Sequence, residues 1–319
     1  MPEGEFEFIA RRLRPLATAR GALALTDDAA LLDPSPGHQL VLAKDALVAG
    51  VHFLPGDPPG QVAQKLLRVN LSDLAAMGAA PIGYLLALAR HREITDDWLA
   101  EFCAGLAADN AAFDVALLGG DTVTTPGPLT LSLTAVGEVP TGAALLRGGA
   151  EPGDDLWVSG TLGDAALGLK VLQGALDVAE PARAALVERY RLPEPRLALG
   201  KALRGIASAA IDVSDGLVAD LGHILEVSGV GAELRANALP LSAAAREVPG
   251  ARDAALSGGD DYELLFTAPP ERQARIVSLA RRLDLPLSRI GAIRAGLDLS
   301  ILDASGQEIV PPSKGWQHF

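Results

Sequence analysis

Ala209-Ala210-Ile211-Asp212-Val213-Ser214-Asp215-Gly216-Leu217-Val218-Ala219-Asp220-Leu221 is the stretch on which the fold turns. A strand is expected over 209–213, opening on the apolar Ala209-Ala210-Ile211, and an amphipathic helix over 216–227. Asp212 and Asp215 fall at the junction. The same succession recurs along the chain. Strands are expected at 40–48, 82–89, 115–118, 129–138, 155–159, 231–235 and 262–267, with two more closing the chain. Helices are expected over 5–16, 61–77, 96–111, 164–173, 181–204 and 271–283, with Thr95 as an N-cap. Such alternation indicates an α/β or α+β layered fold. Turn formers crowd residues 139–153, so a boundary is placed near residue 140, giving domains 1–140 and 141–319. The 319 residues also exceed what one core comfortably serves, roughly 250–300.

Composition narrows the function. The net charge is −13, which disfavours a generic nucleic-acid partner, because such proteins neutralise phosphates with basic patches. An acidic chain binding phosphorylated small molecules needs cations as bridges. The single cysteine, Cys103, excludes an intrachain disulfide and zinc-site spacing. The start, Met1-Pro2-Glu3-Gly4-Glu5, lacks a signal-peptide pattern. The longest apolar stretch, Gly78–Ala89, is about twelve residues, short of the ~18 of a membrane span. A cytoplasmic protein with no membrane association is expected.

The aspartates carry the chemistry. Asp27-Asp28 follow a short apolar run. Asp45 follows Val41-Leu42-Ala43-Lys44, Asp73 lies on or beside the apolar stripe of a helix, and Asp121 follows Leu117-Leu118-Gly119-Gly120. Asp260-Asp261 follow Ser257-Gly258-Gly259. Taken singly, each is equally well a cap or turn residue. As a set embedded in Ala, Leu and Gly they are not a solvated face. A buried carboxylate costs several kcal/mol unless paired or metal-bound, and few basic residues lie nearby. A divalent cation is the economical neutraliser, and oxygen ligands favour Mg²⁺, Mn²⁺ or Ca²⁺.

Gly119-Gly120 and Gly258-Gly259 let backbone approach a ligand, or make ordinary tight turns. None of the common phosphate loops is present. Arg147, between Leu146 and Gly148-Gly149, suits bidentate phosphate binding or is a solvated loop residue.

Taken together, the segments resemble the thiamine-monophosphate kinase family, of the superfamily of aminoimidazole-ribotide synthetase and selenophosphate synthetase. The matching segments are Gly4-Glu5-Phe6, Asp27-Asp28-Ala29-Ala30, Gly50-Val51-His52-Phe53-Leu54, Val69 to Gly78 and Gly119-Gly120-Asp121-Thr122. They continue with Ala144-Leu145-Leu146-Arg147, Val158 to Asp164, Ile211 to Leu217, Ala219 to Ile224, Gly258 to Leu264, and Gly315-Trp316 with His318-Phe319. The resemblance implies a first domain whose mixed sheet pairs across a homodimer, and a larger second α/β domain. It implies ATP and several Mg²⁺ in the cleft between them, and γ-phosphoryl transfer from ATP to thiamine monophosphate, giving thiamine diphosphate. By the same resemblance Asp28, Asp45, Asp73, Asp121, Asp212 and Asp215 hold metal. Gly120, Asp121, Arg147 and Ser214 contact ATP, and His52, Asp260 and Trp316 contact thiamine monophosphate. Catalysis requires no group beyond these metal and phosphate ligands.

The chain departs from the family pattern at three places. Ala43-Lys44 precede Asp45 where the family usually has hydroxyls, so the Lys44 ammonium is expected to take part of the space and charge of one Mg²⁺. Asp260 stands where Glu is common, which shortens the reach by one methylene. Thr26 replaces a usual glycine. The alternatives are another ATP-dependent enzyme of the superfamily, a metal-dependent phosphatase using the same carboxylates, or a nucleotide-binding regulator without activity.

Overall fold

The computed structural model describes residues 4–313 and 315. The chain separates into two units, one running through Leu74 plus Ala79–Gly142, the other Ala75–Gly78 plus Ala143 onward.

The first unit opens with α1, Glu5–Phe8, which passes into a π-helical turn over Ile9–Leu13 and a 3-10 turn over Arg14–Leu16. The single helix expected over 5–16 is thus broken. Pro15 has no N–H for an α-ladder, so the regular helix ends before it. Next come β1 (His38–Val48), α2 (Pro59–Ala76), β2 (Ala80–His91), α3 (Asp96–Phe113), β3 (Ala116–Thr125) and β4 (Thr130–Pro140). The Thr95 side chain caps α3, accepting from Trp98 N–H at 3.1 Å. The strands form one mixed sheet in the order β1-β4-β2-β3, antiparallel except for β2–β3.

Register assigns the two faces of this sheet. Leu86 pairs with Leu133, and Leu88 with Leu131. All four are buried, and each is worth roughly 1.5–3 kcal/mol relative to exposure. The rows between them face the other way, because side chains alternate along a strand. One such row runs Ala46, Ser132, Ala87, Asp121, and the next Lys44, Thr134, Leu85, Gly119. On this open face Leu42 is 67% and Val123 48% exposed.

The second unit contains β5 (Asp155–Ser159), α4 (Asp164–Leu172), α5 (Ala182–Arg191), α6 (Leu197–Leu203), β6 (Ala209–Asp212), α7 (Leu217–Ser228), β7 (Gly231–Arg235), α8 (Ala251–Ser257), β8 (Leu264–Ala268), α9 (Gln273–Leu283), β9 (Leu287–Arg294) and β10 (Leu299–Leu302). The helix expected over 181–204 is two helices, divided at a segment holding Pro193 and Pro195, neither of which can continue the ladder. The six strands lie in the order β10-β7-β9-β5-β8-β6, antiparallel except for β10–β7.

Both faces of this sheet are buried. Leu156, Val158, Ile211 and Leu265 pack with Leu221 and Ile224 of α7. Trp157, Ala210, Leu264 and Phe266 pack with Leu199 and Leu203 of α6 and Ile276 of α9. Antiparallel sheets commonly leave one face to water; this one is the middle of three layers, so β5 and β8 are apolar on both sides.

Candidate functional site

In the first unit a cleft of about 740 Å³ lies against the open sheet face. Its polar lining includes Asp27, Asp28, Lys44, Asp121, Thr122 and Ser132, and Gly120 forms part of its wall. Two of the four metal-ligand candidates of this unit, Asp28 and Asp121, therefore share one cavity. Asp45 and Asp73 are not in its lining. Asp45 belongs to the row Leu133, Leu86, Gly120, on the opposite face from Asp121. The buried Asn70 of α2 takes the Asp45 N–H on its Oδ1 at 3.0 Å and donates Nδ2 to Leu66 O at 2.9 Å. Asp73 is half-buried one turn further along α2.

Gly119-Gly120 do not form a turn. They continue β3, with Gly120 opposite Leu86. A Cβ at position 120 would stand 1.9 Å from Leu86 O. The glycine is set by strand packing, and the expected close approach is made by a neighbouring strand. Lys44 Nζ donates to Ser132 Oγ at 2.8 Å, and Ser132 Oγ donates to Asp45 O at 3.2 Å. The ammonium is thereby fixed across β1 and β4 beside the cleft.

His52 sits in the turn after β1. The Val48 N–H donates to its Nδ1 at 3.0 Å. A backbone N–H is always a donor, so Nδ1 is the acceptor and the neutral ring carries its proton on Nε2.

In the second unit, the buried Asp212 ends β6. Ser214, Asp215 and Gly216 donate backbone N–H groups at 3.0, 3.1 and 3.1 Å to one oxygen, Asp220 Oδ2. Asp220 thus shapes the turn that presents Ser214 and Asp215. Burial pushes its pKa up to about 8, with the nearby Asp212 and then Asp215 charges adding to the rise. Arg147 is exposed, on a loop that Leu146 O ties to Ala210 N–H at 2.9 Å and that Ser228 Oγ holds by accepting from Gly149 and Ala150.

Asp260 lies half-buried in the segment Gly258–Glu263. Asp260 and Tyr262 both have left-handed backbones, at φ 68° and 51°. Such residues cost about 1–3 kcal/mol each and persist only where the surroundings over-determine them. Their neighbours do so. Asp261 accepts from Gly163 N–H with both oxygens, at 3.0 and 2.8 Å. Glu263, fully buried, accepts from Ser159 Oγ at 2.6 Å, Arg189 Nη2 at 2.9 Å and Arg196 Nε at 2.7 Å. Gly160, at φ 58°, lies over the Glu263 carboxylate, where a Cβ would come within 2.1 Å of Oε1. Nothing in the sequence pointed to Glu263, Arg189 or Arg196 as partners. Glu263 is hidden in an apolar strand run, and the arginines lie 74 and 67 residues away. Trp316 lies outside the described residues.

Among the described residues no three His, Cys, Asp or Glu side chains converge as a closed metal cage. The donors that line the first-unit cleft are carboxylate and hydroxyl oxygens with one ammonium. That set suits Mg²⁺, which is usually held by one or two carboxylates together with waters and substrate phosphates, with no all-protein cage. The residues fit the ion.

Comparison with known proteins agrees with this picture. Residues 26–139 match the AIR synthase related protein N-terminal domain and 151–303 the corresponding C-terminal domain. The thiamine-monophosphate kinase of Caulobacter vibrioides is 46% identical over 99% of this chain and 91% of its own length. The crystal structure of thiamine-monophosphate kinase from Stenotrophomonas maltophilia superposes with a TM-score of 0.86 at 47% identity, covering 97% of this chain and 99% of that one. AaThiL complexed with AMPPCP and TMP superposes with a TM-score of 0.80 at 32% identity, covering 99% and 97%.

Proposed function

The chain belongs to the thiamine-monophosphate kinase family of AIR synthase related proteins, and from that membership we propose that it transfers the γ-phosphoryl group of ATP to thiamine monophosphate, forming thiamine diphosphate and ADP. The observation that carries this reading is likeness over the full length to relatives of that activity, one of them described with an ATP analogue and TMP. No helix among the described residues is long and apolar enough to cross a membrane. A cytoplasmic location is part of the proposal.

Phosphoryl transfer asks a protein mainly for positioning and charge neutralisation. The acceptor is itself a phosphate, ionised near neutral pH (second pKa about 6), so no strong general base is needed. Asp28, Asp45, Asp73 and Asp121 in the first unit, and Asp212 and Asp215 in the second, are the residues that would hold magnesium. Bound there, Mg²⁺ neutralises phosphate charge that a chain of net charge −13 cannot neutralise alone. Lys44 supplies a fixed positive charge to the first-unit cleft. Arg147 and Ser214 are assigned to the ATP phosphates and Gly120 to the wall beside them. His52 offers the Nε2 proton to thiamine monophosphate, Asp260 offers a carboxylate, and Trp316 an indole face for the thiazolium cation. A homodimer formed through the open sheet face is part of the proposal. Leu40, Leu42, Leu85 and Val123 leave an apolar surface on it, and sedimentation of the protein is the check.

The test of function is direct. Purified protein is incubated with MgATP and thiamine monophosphate, and products are followed by phosphorus NMR. Equimolar ADP and thiamine diphosphate are expected. Absence of thiamine diphosphate at saturating Mg²⁺ overturns the proposal, and ATP loss without acceptor points instead to a hydrolase.

A further inference from the structure

The segment Gly258–Glu263 has a side-chain pattern that alternates in function. Asp261 and Glu263 are buried and anchored; Asp260 and Tyr262 are half-buried and left-handed. Tyr262 Oη donates to Asp260 Oδ1 at 3.3 Å. A bulky aromatic residue at positive φ is a genuine outlier, so local preference does not produce this geometry. It is imposed from outside, through Glu263 and Asp261.

The anchors also fix the segment against the Asp212–Asp215 turn. Asp260 N–H donates to Ser214 O and Tyr262 N–H to Val213 O, each at 2.8 Å, and Val213 N–H returns a bond to Glu263 O at 2.8 Å. A Cβ at Gly259 would lie 2.5 Å from Ser214 O, so the two backbones touch. Holding Glu263 therefore sets Asp260 relative to Ser214. Two guanidiniums converge on one buried carboxylate, and Arg196 also meets the exposed Glu194 at 3.0 Å. Arg189 spends part of its fork on Asp261 O at 3.1 Å, so it grips the segment at two points. An arginine fork gives directional, planar holding that packing alone does not.

We propose that Glu263, clamped by Arg189 and Arg196, is a positioning device that aims the Asp260 carboxylate, with the Tyr262 hydroxyl completing the aim. This rests on the reading of Asp260 as a contact to thiamine monophosphate. None of the four residues is asked to touch the reacting phosphates. They act through Asp260, and their loss falls first on recognition of thiamine monophosphate.

The experiment is a kinetic double-mutant cycle on the full-length enzyme. Tyr262→Phe, Arg189→Lys and Arg196→Lys are each made alone and with Asp260→Ala, and KM for each substrate, kcat and the melting temperature are measured. Tyr262→Phe is expected to raise KM for thiamine monophosphate about threefold to tenfold, the scale of an ordinary hydrogen bond. The arginine variants are expected to raise it about tenfold by the same reasoning. KM for ATP should stay within about twofold in Tyr262→Phe, which leaves the Glu263 anchor and the backbone bonds to Val213 and Ser214 in place. On the Asp260→Ala background the three substitutions should add nothing to KM for thiamine monophosphate. If Arg189→Lys gives no soluble enzyme, Arg196→Lys, which keeps the Arg189 grip, carries the test. An increase that persists without the Asp260 carboxylate, a parallel rise in KM for ATP in Tyr262→Phe, or unchanged KM overturns the proposal while leaving an active kinase. A wild type that makes no thiamine diphosphate overturns the kinase reading itself, and the positioning role with it.

Discussion

Asn70 reaches from α2 to β1 and accepts the backbone N–H of Asp45 at 3.0 Å, while its own amide is held by Leu66 O. The strand at Asp45 is thus satisfied by a helix side chain on one side and by β4 on the other. Asn70→Ala leaves that N–H to find another partner in a part-buried setting, while Leu66 O keeps its place in the helix ladder. A loss of about 1–3 kcal/mol in unfolding free energy is expected, read from urea denaturation. An unchanged midpoint would show that Asn70 does not tie β1 to α2.

Lys44 and Asp121 approach the same cleft from opposite edges of one sheet face. If the ammonium takes the place of part of one magnesium, Lys44→Thr should bind an additional Mg²⁺ and show a steeper dependence of rate on Mg²⁺ concentration. Equilibrium dialysis with ATP present, alongside a magnesium titration of activity, checks both. The same stoichiometry and the same titration curve in variant and wild type would remove Lys44 from the metal argument.

Asp121→Asn keeps size and shape but replaces the carboxylate charge, in the cavity it shares with Asp28, by an amide's dipole. A fall in kcat/KM on the order of 100-fold is expected, the scale of losing one group that stabilises transferring charge. Folding should be unaffected, because Asp121 is exposed. A variant with wild-type kcat/KM at limiting Mg²⁺ would exclude Asp121 as a ligand.

Gly120→Ala separates strand packing from ligand contact. The added methyl meets Leu86 O at 1.9 Å, so β2 and β3 must part, at a cost of about 1–3 kcal/mol or more. A lowered melting temperature in the absence of nucleotide is the expected sign. A variant of unchanged stability that binds ATP poorly would reassign the glycine to the ligand.

Asp261 gives a pH prediction. Burial drives its pKa well above the ordinary carboxylate value, against the pull of the Gly163 N–H and Arg189. A group whose pKa is raised on folding favours the folded state when protonated, and that contribution declines as pH rises above the unfolded value. Asp261→Asn lacks this titration. Its stability relative to wild type should therefore improve from pH 4 toward pH 8, measured by urea denaturation at each pH. A difference that is flat or runs the other way would show that Asp261 is not held in the protonated form by its surroundings.

The layered α/β character was legible because strand and helix periods are local. Thr95 as a cap needed only the residues after it. The break between α5 and α6 was equally local, since Pro193 and Pro195 forbid a continuous ladder, yet apolar periodicity on both sides masked it. Strand β3 ran on through Gly119-Gly120 because its partner Leu86 leaves no room for a Cβ, a fact of pairing that no window of sequence contains. For the site, sequence pattern picked out Asp28 and Asp121, which share a cavity. It gave no hint of Asp220 as the shaper of the Ser214–Gly216 turn, or of Glu263 with Arg189 and Arg196. The Glu263 contacts span 67 and 74 residues and rest on burial that turns an ordinary-looking Glu into an anchor, while Asp220 is close in sequence to its turn but looks like any helix residue.

The packing of Gly120 against Leu86 has a consequence for how such proteins are recognised and how they diverge. A Gly-Gly-Asp signature invites interpretation as a nucleotide loop, yet its second glycine answers to the neighbouring strand. Selection to keep the sheet will preserve that glycine in a descendant that no longer handles ATP, whereas Asp121, exposed and free of that steric demand, is open to drift once catalysis is lost. In surveying distant relatives, the aspartate is therefore the diagnostic letter of the motif, and the glycine beside it is a marker of ancestry alone.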